Sequence, residues 1–168
     1  MASGDTLFVL KPGNGSPPAT LAAALTGIDG ASVPAERYRV TAHDDTAVEH
    51  WDYKLVMPQA YAGTTGVTLR FWSGGAAASG NYILSAAFRR VEDDTNDIEA
   101  SHTYDYNDTS AITAPTVIGE VGIDSLTFTD GADIDSVAAG DMFILRVRVN
   151  GGTIVGDTYI HQIEVQET

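Results

Sequence analysis

The chain has 168 residues, no cysteine, and 23 acidic side chains against nine basic ones, giving a net charge of −14. That length fits one domain with a sizeable core, while the lack of thiols excludes disulfides and thiolate metal sites. So negative a chain repels phosphate backbones, which argues against nucleic acid as a direct partner. The opening Met1-Ala-Ser-Gly-Asp5 is not a basic segment followed by a long apolar run, and no apolar stretch approaches the roughly 20 residues of a membrane span. The expectation is synthesis in a cytoplasm, with no membrane partner.

In chain order, Leu7-Phe-Val-Leu10 reads as a short strand. Pro12-Gly-Asn-Gly-Ser-Pro-Pro18 then breaks regular structure. Ala19-Thr-Leu-Ala-Ala-Ala-Leu25 predicts a helical turn or two ending near Gly27. With Gly30 and Pro34 beyond, residues 12–45 read as a long excursion with little core of its own.

The regular body starts near Thr46. Trp51, Tyr53, Leu55 and Met57 share one face of a strand, with His50, Asp52 and Lys54 on the other, and Pro58 stops it. Val67, Leu69 and Phe71 form the next inward set, with Thr68, Arg70 and Trp72 opposite. Tyr82, Leu84, Ala86 and Phe88 make a third, ending in the loop Glu92-Asp-Asp-Thr-Asn-Asp97. Thr103 to Tyr106 reads as a short strand. From Val121 and Ile123 to Leu126 and Phe128 the apolar phase changes from odd to even, which predicts a β-bulge near Asp124-Ser125. Residues 133–140 read as a capped helical turn. Phe143, Leu145, Val147 and Val149 alternate with Arg146 and Arg148, and Asn150-Gly-Gly152 turns the chain toward a last strand in which His161 shares phase with Ile163 and Val165.

About seven to nine short strands, with turn signals roughly every 8 to 15 residues, predict an all-β fold. The expected architecture is an antiparallel β-sandwich of jelly-roll type with an extended N-terminal arm. Residues 1–45 supply the first strand and the arm, residues 46–168 the body, and the first and last strands are neighbours.

No motif converges on a reactive group, so no catalytic residue or cofactor is assigned. His43, His50, His102 and His161 lack the close spacing with a carboxylate that a zinc hydrolase shows. There is no nucleophile elbow and no phosphate-binding glycine loop; Gly63 to Gly66 and Gly74-Gly75 read as turn glycines. Glu49, Asp52, Glu120 and Asp124 lie on strands and are the acids a glycosidase would have to pair across a cleft. Asp130, Asp133 and Asp135, and the acids of residues 92–97, are weak calcium candidates without an EF-hand pattern, and turn chemistry explains them more simply. Asn14-Gly-Ser16 and Asn107-Asp-Thr109 match the glycosylation pattern by chance. Trp51, Trp72, Tyr61 and Tyr82 are the aromatics available to stack on a sugar or to fill the core.

Val56-Met-Pro-Gln-Ala-Tyr-Ala-Gly63 followed by Val67-Thr-Leu-Arg-Phe-Trp72 resembles small virion-associated proteins of tailed bacteriophages. Asp130-Gly-Ala-Asp-Ile-Asp-Ser-Val-Ala-Ala-Gly-Asp141 and the opening Met1-Ala-Ser-Gly-Asp-Thr-Leu7 are similar to the same group, from which residues 31–45 depart most. The resemblance implies a non-enzymatic jelly-roll that decorates or cements the outer surface of a phage head. Its implied partner is the major capsid protein, its implied assembly a homotrimer, and its implied location the virion. The residues expected at such contacts are Leu7, Val9, Leu21, Leu25, Tyr61 and Trp72. Two further readings stand beside it: a carbohydrate-binding module of a tail or fibre using Trp72 or Tyr61 as a stacking platform, and a β-sandwich glycan hydrolase or lyase.

Overall fold

The computed structural model describes residues 4–93, 95 and 97–168. Residues 1–3 of the opening motif, and Asp94 and Asn96 of the acidic loop considered for calcium, lie outside the described residues. The strands are β1 (Thr6–Leu10), β2 (Ala24–Asp29), β3 (Arg37–His43), β4 (His50–Val56), β5 (Val67–Gly75), β6 (Asn81–Val91), β7 (Asn107–Asp108), β8 (Ile112–Thr113), β9 (Gly122–Phe128), β10 (Met142–Gly152) and β11 (Thr158–Glu167). They form two antiparallel sheets packed as a jelly-roll sandwich. Sheet A runs β2-β3-β11-β5-β9, with β1 also on β11; sheet B runs β4-β10-β6-β7, with β8 also on β6.

Alternation builds the core. In β10 the side chains of Phe143, Leu145, Val147 and Val149 are buried. Leu145 stands opposite Tyr53 of β4 and Phe88 of β6, and Val147 opposite Trp51 and Ala86, so the three strands present one apolar face. Sheet A answers with Val67, Leu69 and Phe71 of β5, paired with Phe128 and Leu126 of β9 and with Val165 and Ile163 of β11. An aromatic cluster joins the layers: Phe88 meets Phe128 edge-on at 5.0 Å and Phe143 at 5.6 Å, and Phe8 of β1 reaches Phe143 at 6.0 Å. Full burial of such a side chain stabilises the fold by about 1.5–3 kcal/mol.

The first and last strands are neighbours as expected, since β1 pairs with β11 from Thr6↔Gln166 to Leu10↔Ile163. Residues 12–39 do carry little core, with Pro12 and Ala23 the buried exceptions. Their path is ordered, however, and the boundary at residue 45 falls after a strand of sheet A, not before the body. Residues 19–25 are not helical: Leu21 takes a positive φ of 52°, and Ala24 already pairs with Ala42. Local alanine propensity loses to pairing along the whole of β2. The β2–β3 hairpin then docks on β11 through Thr41, Ala42 and His43, all buried.

The expected bulge in β9 is absent. Register against β5 runs unbroken from Val67↔Phe128 to Ser73↔Gly122, and the phase puzzle resolves because Val121 and Ile123 face outward, 41% and 51% exposed. The bulge is in β11 instead. Its register on β5 shifts between Ile160 and Gln162, so Ile160 and Ile163 are both buried although three residues apart, and His161 leaves the inward phase assigned to it. Gly74 and Gly75 are not turn glycines but buried strand positions at the end of β5, where a Cβ on Gly75 would lie 2.2 Å from Ile154 Cδ1. Of residues 133–140 the described helical content is the 3-10 turn Ala132–Ile134, ended by positive φ at Asp135 and Ser136. No strand forms over Thr103 to Tyr106; the two-residue β7, Asn107–Asp108, starts only after that span, which instead lays Tyr104 and Tyr106 over the arginines of β10.

Candidate functional site

The β11 bulge sits where two strands exchange places along one edge. β3 pairs with β11 only through Thr158, Tyr159 and Ile160, and β1 takes over from Ile163 onward. Between them the edge of β11 at His161 and Gln162 is left to side chains. Arg37, Tyr38 and Arg39 of β3 continue past this point, paired only with β2. The chain leaving β1 turns through the 3-10 segment Pro12–Asn14, closed by the Asn14 Oδ1 accepting from the Lys11 N–H at 2.8 Å.

Two connected depressions result on the outer face of sheet A. One, about 340 Å³, is lined by Trp72, Val121, Tyr38, Arg39, His161 and Gln162. The other, about 640 Å³, shares the last four residues with it and extends to Arg37 and residues 11–14. Together they make one groove across β5, β11 and β3. Trp72 stands directly across from Gln162. Arg70 lies over the Trp72 ring at 5.2 Å and is held by Glu164 at 3.1 Å, which fixes the indole. Tyr38, 52% exposed, donates its hydroxyl hydrogen bond to Glu36, and that bond raises its pKa. Burial lowers the pKa of His161, so the imidazole is neutral at pH 7. Arg37 forms a two-bond pair with Asp29, at 2.6 and 2.9 Å. An indole, a phenol, an amide, an imidazole and guanidinium donors thus face one open channel. Flat apolar rings beside short polar arms suit a hydroxyl-rich, ring-shaped ligand.

The opposite face of the sandwich is closed. Asp52, expected outside, is 7% exposed because residues 16–22 run along the β4 edge and the segment before β7 covers the sheet. Its carboxylate accepts two bonds from Arg146, both 2.7 Å. Arg146 lies 4.1 Å from the Tyr104 ring and Arg148 3.6 Å from the Tyr106 ring. His50 completes the layer, half-buried, with its ring 6.2 Å from Tyr106. Tyr104 and Tyr106 thus each already carry an arginine of the same chain over the ring.

The other sequence candidates separate. Asp130 Oδ1 accepts from the Tyr61 hydroxyl at 3.2 Å, Asp133 Oδ2 from the Thr129 N–H and hydroxyl at 3.0 and 2.6 Å, and Asp135 Oδ2 from the Arg90 N–H at 2.8 Å. Each does turn or strand-end work, and among the described residues no group of three or more acids or histidines is arranged for a metal. Of the four strand acids, Asp52 belongs to sheet B and Asp124 to sheet A, while Glu49 caps the Asp44 N–H at 2.9 Å and Glu120 lies in the loop before β9. Of the expected contact residues, Tyr61 is buried in the core and Leu7 and Trp72 are half-buried. Val9, Leu21 and Leu25 are exposed. Sequence reasoning singled out Trp72 but missed Tyr38, Arg39 and Gln162. The spacing of Ile160 and Ile163 was the signal that a bulge lay between them.

No protein-family model matches the chain, and no curated protein matches it in sequence. Among solved structures it is similar in fold to a xylan-binding module, CBM15, at a TM-score of 0.50 and 12% identity over 96% of this chain and 97% of that one. Weaker likenesses are to TmCBM61 in complex with β-1,4-galactotriose (TM-score 0.44, 11% identity, 86% of this chain and 88% of that one) and to the enzymatically active domain of bacteriophage CBA120 tailspike protein 4 (TM-score 0.39, 14% identity). The second of these covers 98% of this chain and 18% of the tailspike chain.

Proposed function

We propose that the chain is a non-catalytic carbohydrate-binding module whose ligand lies in the outer groove of sheet A. The observation that carries this is the alignment of Trp72, Gln162, His161 and Tyr38 along one open channel on rigid strands. The fold-level likeness to a xylan-binding module supports the same reading. In mechanism, Trp72 stacks on the apolar face of a pyranose, its position held by Arg70. Gln162 and His161 exchange hydrogen bonds with ring hydroxyls, and Tyr38 bounds the next residue of the chain. No bond is made or broken. Affinity comes from burying the apolar sugar face against the indole, worth about 25 cal/mol per Å², repeated along a polymer.

The test is retardation of the protein in gels cast with soluble polysaccharides, together with a glycan array. Binding by the native chain and at least tenfold weaker binding by Trp72→Ala, with an unchanged circular dichroism spectrum, is the expected pair of results. A native chain that binds no glycan would refute the function, and undiminished binding by Trp72→Ala would refute the site.

A second reading, attachment to a virion shell through subunit contacts, is favoured by the exposed apolar run Val117, Ile118, Val121 and Ile123 beside the free edge of β9. It predicts a stable trimer by light scattering that Ile123→Lys dissociates. A native chain that is monomeric and fails to bind assembled shells sinks it.

A further inference from the structure

The groove is a cationic channel in an acidic molecule. Arg39, Arg37 and Lys11, three of the nine basic residues, line it, and no described acidic residue does. Two carboxylates bonded to lining residues are already engaged, Asp29 by Arg37 and Glu36 by the Tyr38 hydroxyl. Lys11 and Arg39 are exposed and, among the described residues, have no carboxylate partner. Both line the same depression, and Arg39 Nη1 comes within 4.0 Å of where a Cβ on Gly13 would stand, so the guanidinium of β3 reaches the turn that follows Lys11. With 23 acids in the chain, two cations that line one channel without a carboxylate partner among the described residues represent uncompensated charge.

We infer that the groove selects acidic glycans, with a uronate carboxylate seated between Arg39 and Lys11 while Trp72 holds a neighbouring ring. This rests on the carbohydrate-binding reading and narrows it to a ligand class. A planar guanidinium matches a carboxylate with two parallel N–H bonds, and an ammonium adds a point charge. The net charge of −14 does not cancel this. At physiological ionic strength, charges more than about 8 Å away are largely screened, whereas Arg39 and Lys11 act at contact. A neutral xylan or galactan offers hydroxyl acceptors but no counter-charge to either cation.

The experiment compares matched polymers on the native chain: polygalacturonate, alginate, hyaluronan and glucuronoxylan, each beside its carboxyl-reduced form, by gel retardation and calorimetry. The expected result is at least about tenfold tighter binding of one or more acidic forms than of the reduced partner. Lys11→Gln/Arg39→Gln should bring that ratio close to one, and added salt should erode it in the native chain only. Equal binding of acidic and reduced forms overturns the acidic selectivity while leaving the carbohydrate reading intact. An acid preference that survives in the double variant overturns the assignment to these two cations. Failure to bind any polymer overturns the carbohydrate reading, and the selectivity with it.

Discussion

Replacing Arg146 by Leu strands a carboxylate inside the protein. Asp52 is 9% exposed at its side chain, and both of its oxygens accept from Arg146 at 2.7 Å. That carboxylate in turn holds the guanidinium pKa above its ordinary value. Removing one partner of such a pair costs about 3–5 kcal/mol, because the remaining charge keeps its desolvation penalty without its counter-ion. Loss of the cation contact with Tyr104 adds about 0.5–1 kcal/mol. Arg146 is 22% exposed, so solvent screens part of this, and a net loss of about 4 kcal/mol is expected. At this chain length that lowers Tm by about 8–16 °C. Urea unfolding at pH 7 of the native chain, Arg146→Leu, Asp52→Leu and the double variant measures the coupling. The double variant should recover most of the loss, since two well-packed apolar side chains leave nothing unpaired. An Arg146→Leu cost below about 1 kcal/mol would refute the reasoning, as would a double variant no more stable than the sum of its parts, because either result means that water reaches Asp52.

His43 gives a pH dependence of known sign. It is 1% exposed, with Nδ1–H donating to the Glu49 carbonyl at 3.1 Å and Nε2 accepting from the Thr41 hydroxyl at 3.2 Å; burial lowers its pKa to about 4. The unfolded chain, at its ordinary value near 6.5, binds the proton first, so this stability is full above about pH 6.5 and drains as pH falls toward 4. The loss at pH 5 is about 2 kcal/mol, and His43→Gln should flatten the native slope between pH 5 and 7; an unchanged slope means that other groups carry it. At Gly66, φ is +94° and a Cβ would fall 2.0 Å from the Phe128 carbonyl oxygen, so Gly66→Ala should cost at least about 2–3 kcal/mol in the same urea assay, and a neutral substitution would mean that the β5–β9 closure is looser than described.

What the sequence disclosed depended on whether a strand alternates large apolar side chains with polar or small ones. β10, β4, β5 and β6 alternate in sequence, and their inward sets beginning at Phe143, Trp51, Val67 and Tyr82 form the core, although Asp52, Ser85 and Arg89 of the other phase are buried as well. β2 and the first half of β3 bury almost no side chains, so they leave no period-two trace, and pairing through the backbone alone is silent in the residue pattern. The bulge was sought where the phase visibly slipped, at Val121 and Ile123, but those positions face water and the real bulge hides behind two polar residues, His161 and Gln162. The groove was legible only as Trp72. Its other wall depends on β1 and β3 sharing one edge of β11, a juxtaposition of residues 11–14, 38–39 and 161–162 that no local window contains.

That shared edge also sets a timetable. β11 pairs with β1, β3 and β5, and all three precede it in the chain. On the ribosome the β2–β3 hairpin can form as it emerges, but sheet B lacks β10 at its centre until residues 142–152 appear, and sheet A lacks β11 until residues 158–167 follow. Joining Val9 to Glu164 closes nearly the whole sequence into a loop, so folding should be slow and limited by that late, long-range docking. Until then β1, β3 and β5 wait with open edges, and the abundant negative charge that does nothing for the groove keeps neighbouring nascent chains apart.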